Sequence, residues 1–188
     1  MLKKLFQSFR SPLRRAAHKR STPEVLNSNQ HPLRRGEISR YALSVVDRLQ
    51  QAGYQAYLVG GCVRDLLLNL EPKDFDVATS ATPEQVRAEF RNARVIGRRF
   101  KLVHVHFGRE IIEVATFRAN HPQGDEDEDS NLSSRNESGR ILRDNVYGSL
   151  EDDAQRRDFT INALYLDASC ERILDYANGV HDIRNRLI

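Results

Sequence analysis

Asp74 and Asp76 stand two apart in Lys73-Asp74-Phe75-Asp76-Val77-Ala78-Thr79, and Gly60-Gly61 closes an apolar run whose last glycine lies thirteen residues before Asp74. Aspartates at alternating positions of a strand project from one face of a sheet. Held that close, two carboxylates repel unless a cation lies between them, and Mg2+ prefers such oxygens together with substrate phosphates. A two-metal centre uses them to activate an attacking hydroxyl and to stabilise a leaving pyrophosphate. A lone Asp-x-Asp is equally what a solvated strand edge looks like. The glycine pair weighs against that reading. Amides without Cβ shielding let a phosphate approach closely, and a helix opening there adds its positive end. Arg64 lies one turn further on and reaches the same anion. A Gly-Gly turn alone is a common strand-to-helix connection. With the aspartates it puts triphosphate and metal on adjacent elements, and the chemistry these serve is nucleotidyl transfer.

Three further groups carry chemistry. Glu113 interrupts the apolar strand Ile111-Ile112-Glu113-Val114-Ala115, where a carboxylate is costly unless paired or metal-bound. It is either a third ligand beside Asp74 and Asp76 or half of a salt bridge to an arginine. Arg156-Arg157-Asp158 runs into Phe159-Thr160-Ile161-Asn162-Ala163-Leu164. Here the arginines suit a phosphate or base edge, and Asp158 suits orienting an arginine or binding a ribose hydroxyl; a capped helix end with structural ion pairs is the plainer alternative. His104 and His106 alternate in a strand, but no Cys or third His stands at zinc-ligand spacing. Arg98, Arg99 and Lys101 form a basic patch for an RNA backbone or a solvated loop.

These residues need elements to place them. Ile38, Ala42, Val45, Val46 and Leu49 form a helical stripe over 38–51, and Tyr54 to Val59 reads as a strand. Gly60-Gly61 then opens a second helix with Val63, Leu66, Leu67 and Leu68. Pro72 blocks its continuation, and Phe75 to Ala78 reads as the next strand. Thr82-Pro83-Glu84-Gln85 is a helix start, with a capping Thr, Pro at the first helical position and Gln three after the cap. Val95-Ile96, Leu102 to Phe107 and Ile111 to Phe117 read as strands, the last two joined by a tight turn at Gly108-Arg109. Ser149 caps a helix to about Arg157 with acids in its first turn. Strands at Phe159 to Leu166 and Ile173-Leu174, then a helix from Val180, complete an α/β (α+β) domain with a partly antiparallel sheet.

At 188 residues the chain suffices for one domain with a core. Residues 1–36 and 119–140 lack periodic apolar positions, so the core is expected from 37–118 and 141–188. Residues 1–36 read as a basic disordered tail, 37–188 as the folded domain, and 119–140 as a flexible acidic loop. The formal net charge is +3, but Lys3, Lys4, Arg10, Arg14, Arg15, Lys19 and Arg20 precede any acid; without those seven the rest stands at −4. Asp125-Glu126-Asp127-Glu128-Asp129 supplies −5 of that, so the folded part is near neutral. The basic arm either neutralises nucleic-acid phosphates or is a solvated leader. Cys62 and Cys170 sit in no paired motif, which fits a reducing compartment. No apolar run spans a membrane and no secretory core opens the chain, so a soluble cytoplasmic protein is expected. An organelle transit peptide is the lesser alternative for the Arg-rich leader.

Leu58-Val59-Gly60-Gly61-Cys62-Val63-Arg64-Asp65, Asp74-Phe75-Asp76-Val77-Ala78-Thr79 and Arg157-Asp158-Phe159-Thr160-Ile161-Asn162-Ala163 together resemble the head domain of the bacterial poly(A) polymerase and CCA-adding enzyme family, the class II nucleotidyltransferases. The segments 90–94, 97–105, 111–118 and 142–154 look like its poly(A) polymerase branch. The resemblance implies a nucleotidyltransferase-type mixed sheet flanked by helices. It implies template-independent addition of AMP from ATP to RNA 3′ ends, with Mg2+ or Mn2+ as cofactor. By the same carry-over Asp74 and Asp76 are the catalytic metal pair, Asp158 a further active-site acid and Glu113 the strand-borne carboxylate. Gly60, Gly61, Arg64 and Arg157 contact the nucleotide. The family continues into a helical neck that reads the base and a body that holds RNA, whereas this sequence ends at Leu187-Ile188; a head alone is the expectation. The rival readings are a tRNA CCA-adding head and a non-catalytic RNA-binding remnant.

Overall fold

The computed structural model describes residues 21–97, 100–119, 133–135, 141–144 and 146–188. In chain order the strands are β1 (Glu24–Leu26), β2 (Ala56–Val59), β3 (Asp76–Thr79), β4 (Ala93–Ile96), β5 (Leu102–Phe107), β6 (Glu110–Thr116), β7 (Ser133–Arg135), β8 (Ile141–Asp144), β9 (Leu164–Asp167) and β10 (Arg172–Asp175). The helices are α1 (Arg40–Gln51), α2 (Gly61–Leu67), α3 (Pro83–Glu89), α4 (Leu150–Gln155) and α5 (Gly179–Asn185). Among the described residues one sheet runs β1-β10-β9-β2-β3-β6-β5-β4, and β7 pairs separately with β8. Every neighbouring pair in the large sheet is antiparallel except β3 with β6.

The helices begin where the caps require. Ser39 accepts the Tyr41 N–H at the start of α1. Thr82 and Gln85 cap each other's backbone at α3, with Pro83 at the first helical position. Ser149 and Asp152 do the same at α4. The amphipathic stripe of α1 is Ala42, Val45, Val46 and Leu49, all fully buried. These pack in one core with Leu58, Val77, Val114 and Leu166 of the sheet, Val63 and Leu66 of α2, Val86 of α3 and Val180 of α5. Strand alternation sends Val59, Ala78 and Tyr165 to the opposite face, where they meet Phe117, Tyr176 and, from α4, Leu150 and Ala154. Burial of each large aliphatic side chain contributes about 1.5–3 kcal/mol. One face is therefore covered by four helices. The other is covered over its β2–β9 half by α4 and tyrosines, which leaves polar positions on β3, β5 and β6.

Two expectations change. The folded domain does not begin at residue 37, because β1 pairs with β10 and the following segment enters the core through Leu26 and Leu33. Arg35, within the span read as a tail, is tied inward: its N–H reaches Glu171 and its guanidinium reaches Ala168 O and Asp47. Isolated anchors without periodicity left no pattern to read. Residues 1–20 lie outside the described residues. The strand expected over 159–166 is shorter, since Thr160–Asn162 form a 3-10 turn before β9. Thr160 donates its hydroxyl to Asp182 of α5 at 2.6 Å, which holds that turn. Most of the 119–140 loop lies outside the described residues, although 133–135 is the β7 strand. No described helix is long and apolar enough to cross a membrane.

Candidate active site

β2 delivers the chain to Gly60, whose φ of 79° and ψ of −131° lie in a region open to glycine and closed to side chains. From there α2 starts at Gly61. Cross-strand register does the rest: Val59 lies opposite Asp76 on one side and Tyr165 on the other. Asp76 lies beside Glu113 across the parallel pair, and Glu113 lies opposite His104. One row across the sheet thus reads His104, Glu113, Asp76, Val59, Tyr165. The glycine turn adjoins the carboxylates because β2 and β3 are neighbours, as their spacing in sequence suggested.

Asp76 is half-buried, and its carboxyl is pushed up to about 6 by burial and then by the charges of Glu113 and Asp74, against the opposing pull of Arg157. Asp74 lies two residues ahead of it, just outside β3 and exposed. It lines an open groove of about 760 Å³ together with Arg40, Lys73 and Arg109. Glu113 meets His104, Oε2 to Nε2 at 3.2 Å, so its protein partner is an imidazole and not an arginine. His104 and His106 pack edge to face at 6.2 Å. Among the described residues no three His, Cys, Asp or Glu side chains already form a metal cage. The donor chemistry nevertheless suits a hard cation: oxygen-donor carboxylates, with Asp76 raised by burial and then by its carboxylate neighbours. Mg2+ is ordinarily completed by phosphate oxygens and water, so a ready-made protein cage is not its requirement.

Two arginines flank the glycine turn. Arg64 donates from Nη1 to Asn162 Oδ1 at 3.0 Å and pairs with Asp65 at 2.8 Å. Its Nη2 lies 3.6 Å from where a Cβ on Gly61 would stand. Arg157 places Nη1 3.6 Å from the corresponding point on Gly60 and donates to Asn162 O at 3.4 Å. Its Nε and Nη2 both reach Asp153 Oδ2, at 3.2 and 3.0 Å. Asn162 therefore links the two arginines, one through its side chain and one through its carbonyl. α2 is only seven residues long, and each guanidinium beside the turn is paired with a carboxylate, Arg64 with Asp65 and Arg157 with Asp153.

Of the residues expected at the site, Gly60, Gly61, Arg64, Arg157, Asp76 and Glu113 come together around the end of β2. Asp74 borders them on the groove side. Asp158 is exposed and folds onto its own turn, accepting the Phe159 N–H at 3.0 Å; it lies beside Arg157, outside the carboxylate row. Arg98 and Arg99 lie outside the described residues, and Lys101 pairs with Glu84 at 2.9 Å. Cys62 is buried and donates to Val59 O, and burial pushes its thiol up to about 12, so it is not a nucleophile. The sequence reading passed over Asp153, Tyr165 and Asn162. The i,i+4 spacing of Asp153 to Arg157 was a usable signal; nothing marked Tyr165.

The poly A polymerase head domain family matches residues 56–188, and the chain belongs to that family. It is 56% identical over 164 residues to poly(A) polymerase I of Salmonella typhimurium, covering 87% of this chain and 35% of that protein. Among solved structures it is similar to the Bacillus stearothermophilus CCA-adding enzyme in complex with CTP, at 37% identity and a TM-score of 0.60 over 77% of this chain and 31% of that one. A tRNA nucleotidyltransferase complexed with a primer tRNA and an incoming ATP analogue is 26% identical with a TM-score of 0.54, over 77% of this chain and 37% of that one. The chain thus spans about a third of the length of these relatives.

Proposed function

We propose that this chain is the catalytic head of an RNA 3′-end nucleotidyltransferase that adds AMP from ATP, a polyadenylating activity that serves mRNA processing. The observation that carries the reading is that the β2–β3 register sets the Gly60-Gly61 turn, flanked by Arg64 and Arg157, next to the carboxylate row that begins at Asp76. The glycine backbone lets the triphosphate approach, and the two arginines neutralise and orient it. Asp74, Asp76 and Glu113 would hold Mg2+, or Mn2+ in its place, which supplies a lowered hydroxyl pKa and charge stabilisation at the leaving oxygens. The 3′-hydroxyl of the RNA loses its proton to solvent as its oxygen bonds to the α-phosphorus, the α–β bridging bond breaks, and pyrophosphate leaves with that electron pair. Arg64 and Arg157 stay on the departing β- and γ-oxygens. Asp158, exposed beside Arg157, would accept a hydrogen bond from a hydroxyl of the nucleotide ribose. The two free cysteines fit a cytoplasmic setting.

The likeness to CCA-adding enzymes supports CTP and ATP addition to tRNA as the second reading. Extension of oligo(A) and of tRNA lacking its CCA end, each with ATP or CTP alone, separates the two. ATP tailing of oligo(A) that disappears in Asp74→Ala/Asp76→Ala is the expected result. CTP incorporation into the truncated tRNA would move the reading to CCA addition. RNA binding with no extension, unchanged by the double substitution, would leave a non-catalytic RNA-binding module.

A further inference from the structure

We propose that Tyr165 and Asp153 are positioning residues that aim Arg157 at the triphosphate, an inference that rests on the reading of Gly60, Arg64 and Arg157 as the phosphate site. Neither residue can touch a nucleotide itself, since Tyr165 is fully buried and Asp153 is 2% exposed. Both meet the same edge of the guanidinium. Arg157 Nε donates to the Tyr165 hydroxyl at 3.0 Å, and Nε and Nη2 donate to Asp153 Oδ2. The hydroxyl in turn donates to that same oxygen at 2.7 Å. A planar five-donor fork tied along one edge has its opposite edge directed. Here the directed end is Nη1, which lies over Gly60.

The anchor is itself fixed. Asp153 Oδ1 accepts the Arg118 backbone N–H and Arg156 Nε, each at 3.3 Å, so the carboxylate cannot turn away. A buried carboxylate is unfavourable unless its lone pairs are filled, and these donors fill them. The phenol hydroxyl is not explained by packing. The Tyr165 ring meets Tyr57 and Tyr176 edge-on at 6.4 and 6.2 Å, contacts that a phenylalanine would keep. What the hydroxyl adds is the bridge between Arg157 and Asp153. Burial, with the Asp153 charge beside it, pushes the phenol far above its usual value, so it keeps the proton it donates.

The test is a double-mutant cycle read by calorimetric binding of ATP with Mg2+ and of adenosine, which has no phosphate. Tyr165→Phe is expected to weaken ATP binding by about threefold to tenfold and leave adenosine binding unchanged. In an Arg157→Ala background it should weaken ATP no further. Asp153→Asn, which keeps an acceptor oxygen but loses the charge, should act in the same direction and serves if the tyrosine variant misfolds. Two results overturn the inference while the phosphate reading stands: Arg157→Ala weakens ATP but neither other variant does, or Tyr165→Phe weakens ATP equally in both backgrounds. Equal loss of ATP and adenosine binding would make Tyr165 a packing residue only. If Arg157→Ala leaves ATP binding intact, the phosphate reading fails and the inference falls with it.

Discussion

Asp76 sits where burial and two like charges work against its ionisation, a repulsion that a bound cation would relieve. Because its folded value lies near 6, above the 3.8 of a free aspartate, the protonated form favours the fold. Stability from this group is complete below the ordinary aspartate range and is lost as pH rises through about 6. Asp76→Asn, which removes the charge, is therefore expected to raise the metal-free melting temperature at pH 8 by a few degrees. The gain should shrink to nothing near pH 4. A melting difference that is flat with pH would show that Asp76 ionises without penalty. At this scale the sequence showed which residue types were present and how they were spaced. It did not show that Glu113 would lie against His104, which depends on strand register, or that the buried Tyr165 hydroxyl would join Asp153 on Arg157; of that tie only the i,i+4 spacing of Asp153 and Arg157 was local.

At the scale of elements, the helix starts were legible because capping is local chemistry: Thr82 with Gln85, and Ser149 with Asp152, lie within four residues of each other. The adjacency of β2 and β3 was legible for a similar reason, as a short connection through Gly60 and α2. The N-terminal segment was not, since its contribution rests on Leu26 and Leu33 filling places in a distant core and on Arg35 capping distant oxygens. Leu33 is fully buried, and Leu33→Ala is expected to cost about 2–4 kcal/mol in denaturant unfolding. A loss under about 0.5 kcal/mol, the usual surface value, would show that the segment does not fold with the rest. Thr160–Asn162 turned where a strand was expected, and that turn is what brings Asn162 between the two arginines.

Across the whole molecule, charge is divided among seven cations within residues 1–20, five acids at 125–129 and a near-neutral remainder. If those cations meet RNA phosphates, removing residues 1–20 should weaken RNA binding and flatten its dependence on salt by roughly one counterion for each phosphate no longer neutralised. An unchanged salt slope would remove the segment from the RNA-binding account. The sheet divides in a similar way: one face is packed by four helices, and on the other the site stands where α4 stops covering the strands. That asymmetry leaves one open side for the proposed triphosphate, ion and RNA end, and the account stands or falls on their convergence there. The most direct test is calorimetric binding of ATP to this chain with Mg2+ and with chelator, in the wild type and in Asp74→Ala/Asp76→Ala. The account predicts at least about tenfold tighter binding with Mg2+ in the wild type, and no such gain in the variant. Equal affinity with and without Mg2+, or a gain that survives loss of both aspartates, would contradict it.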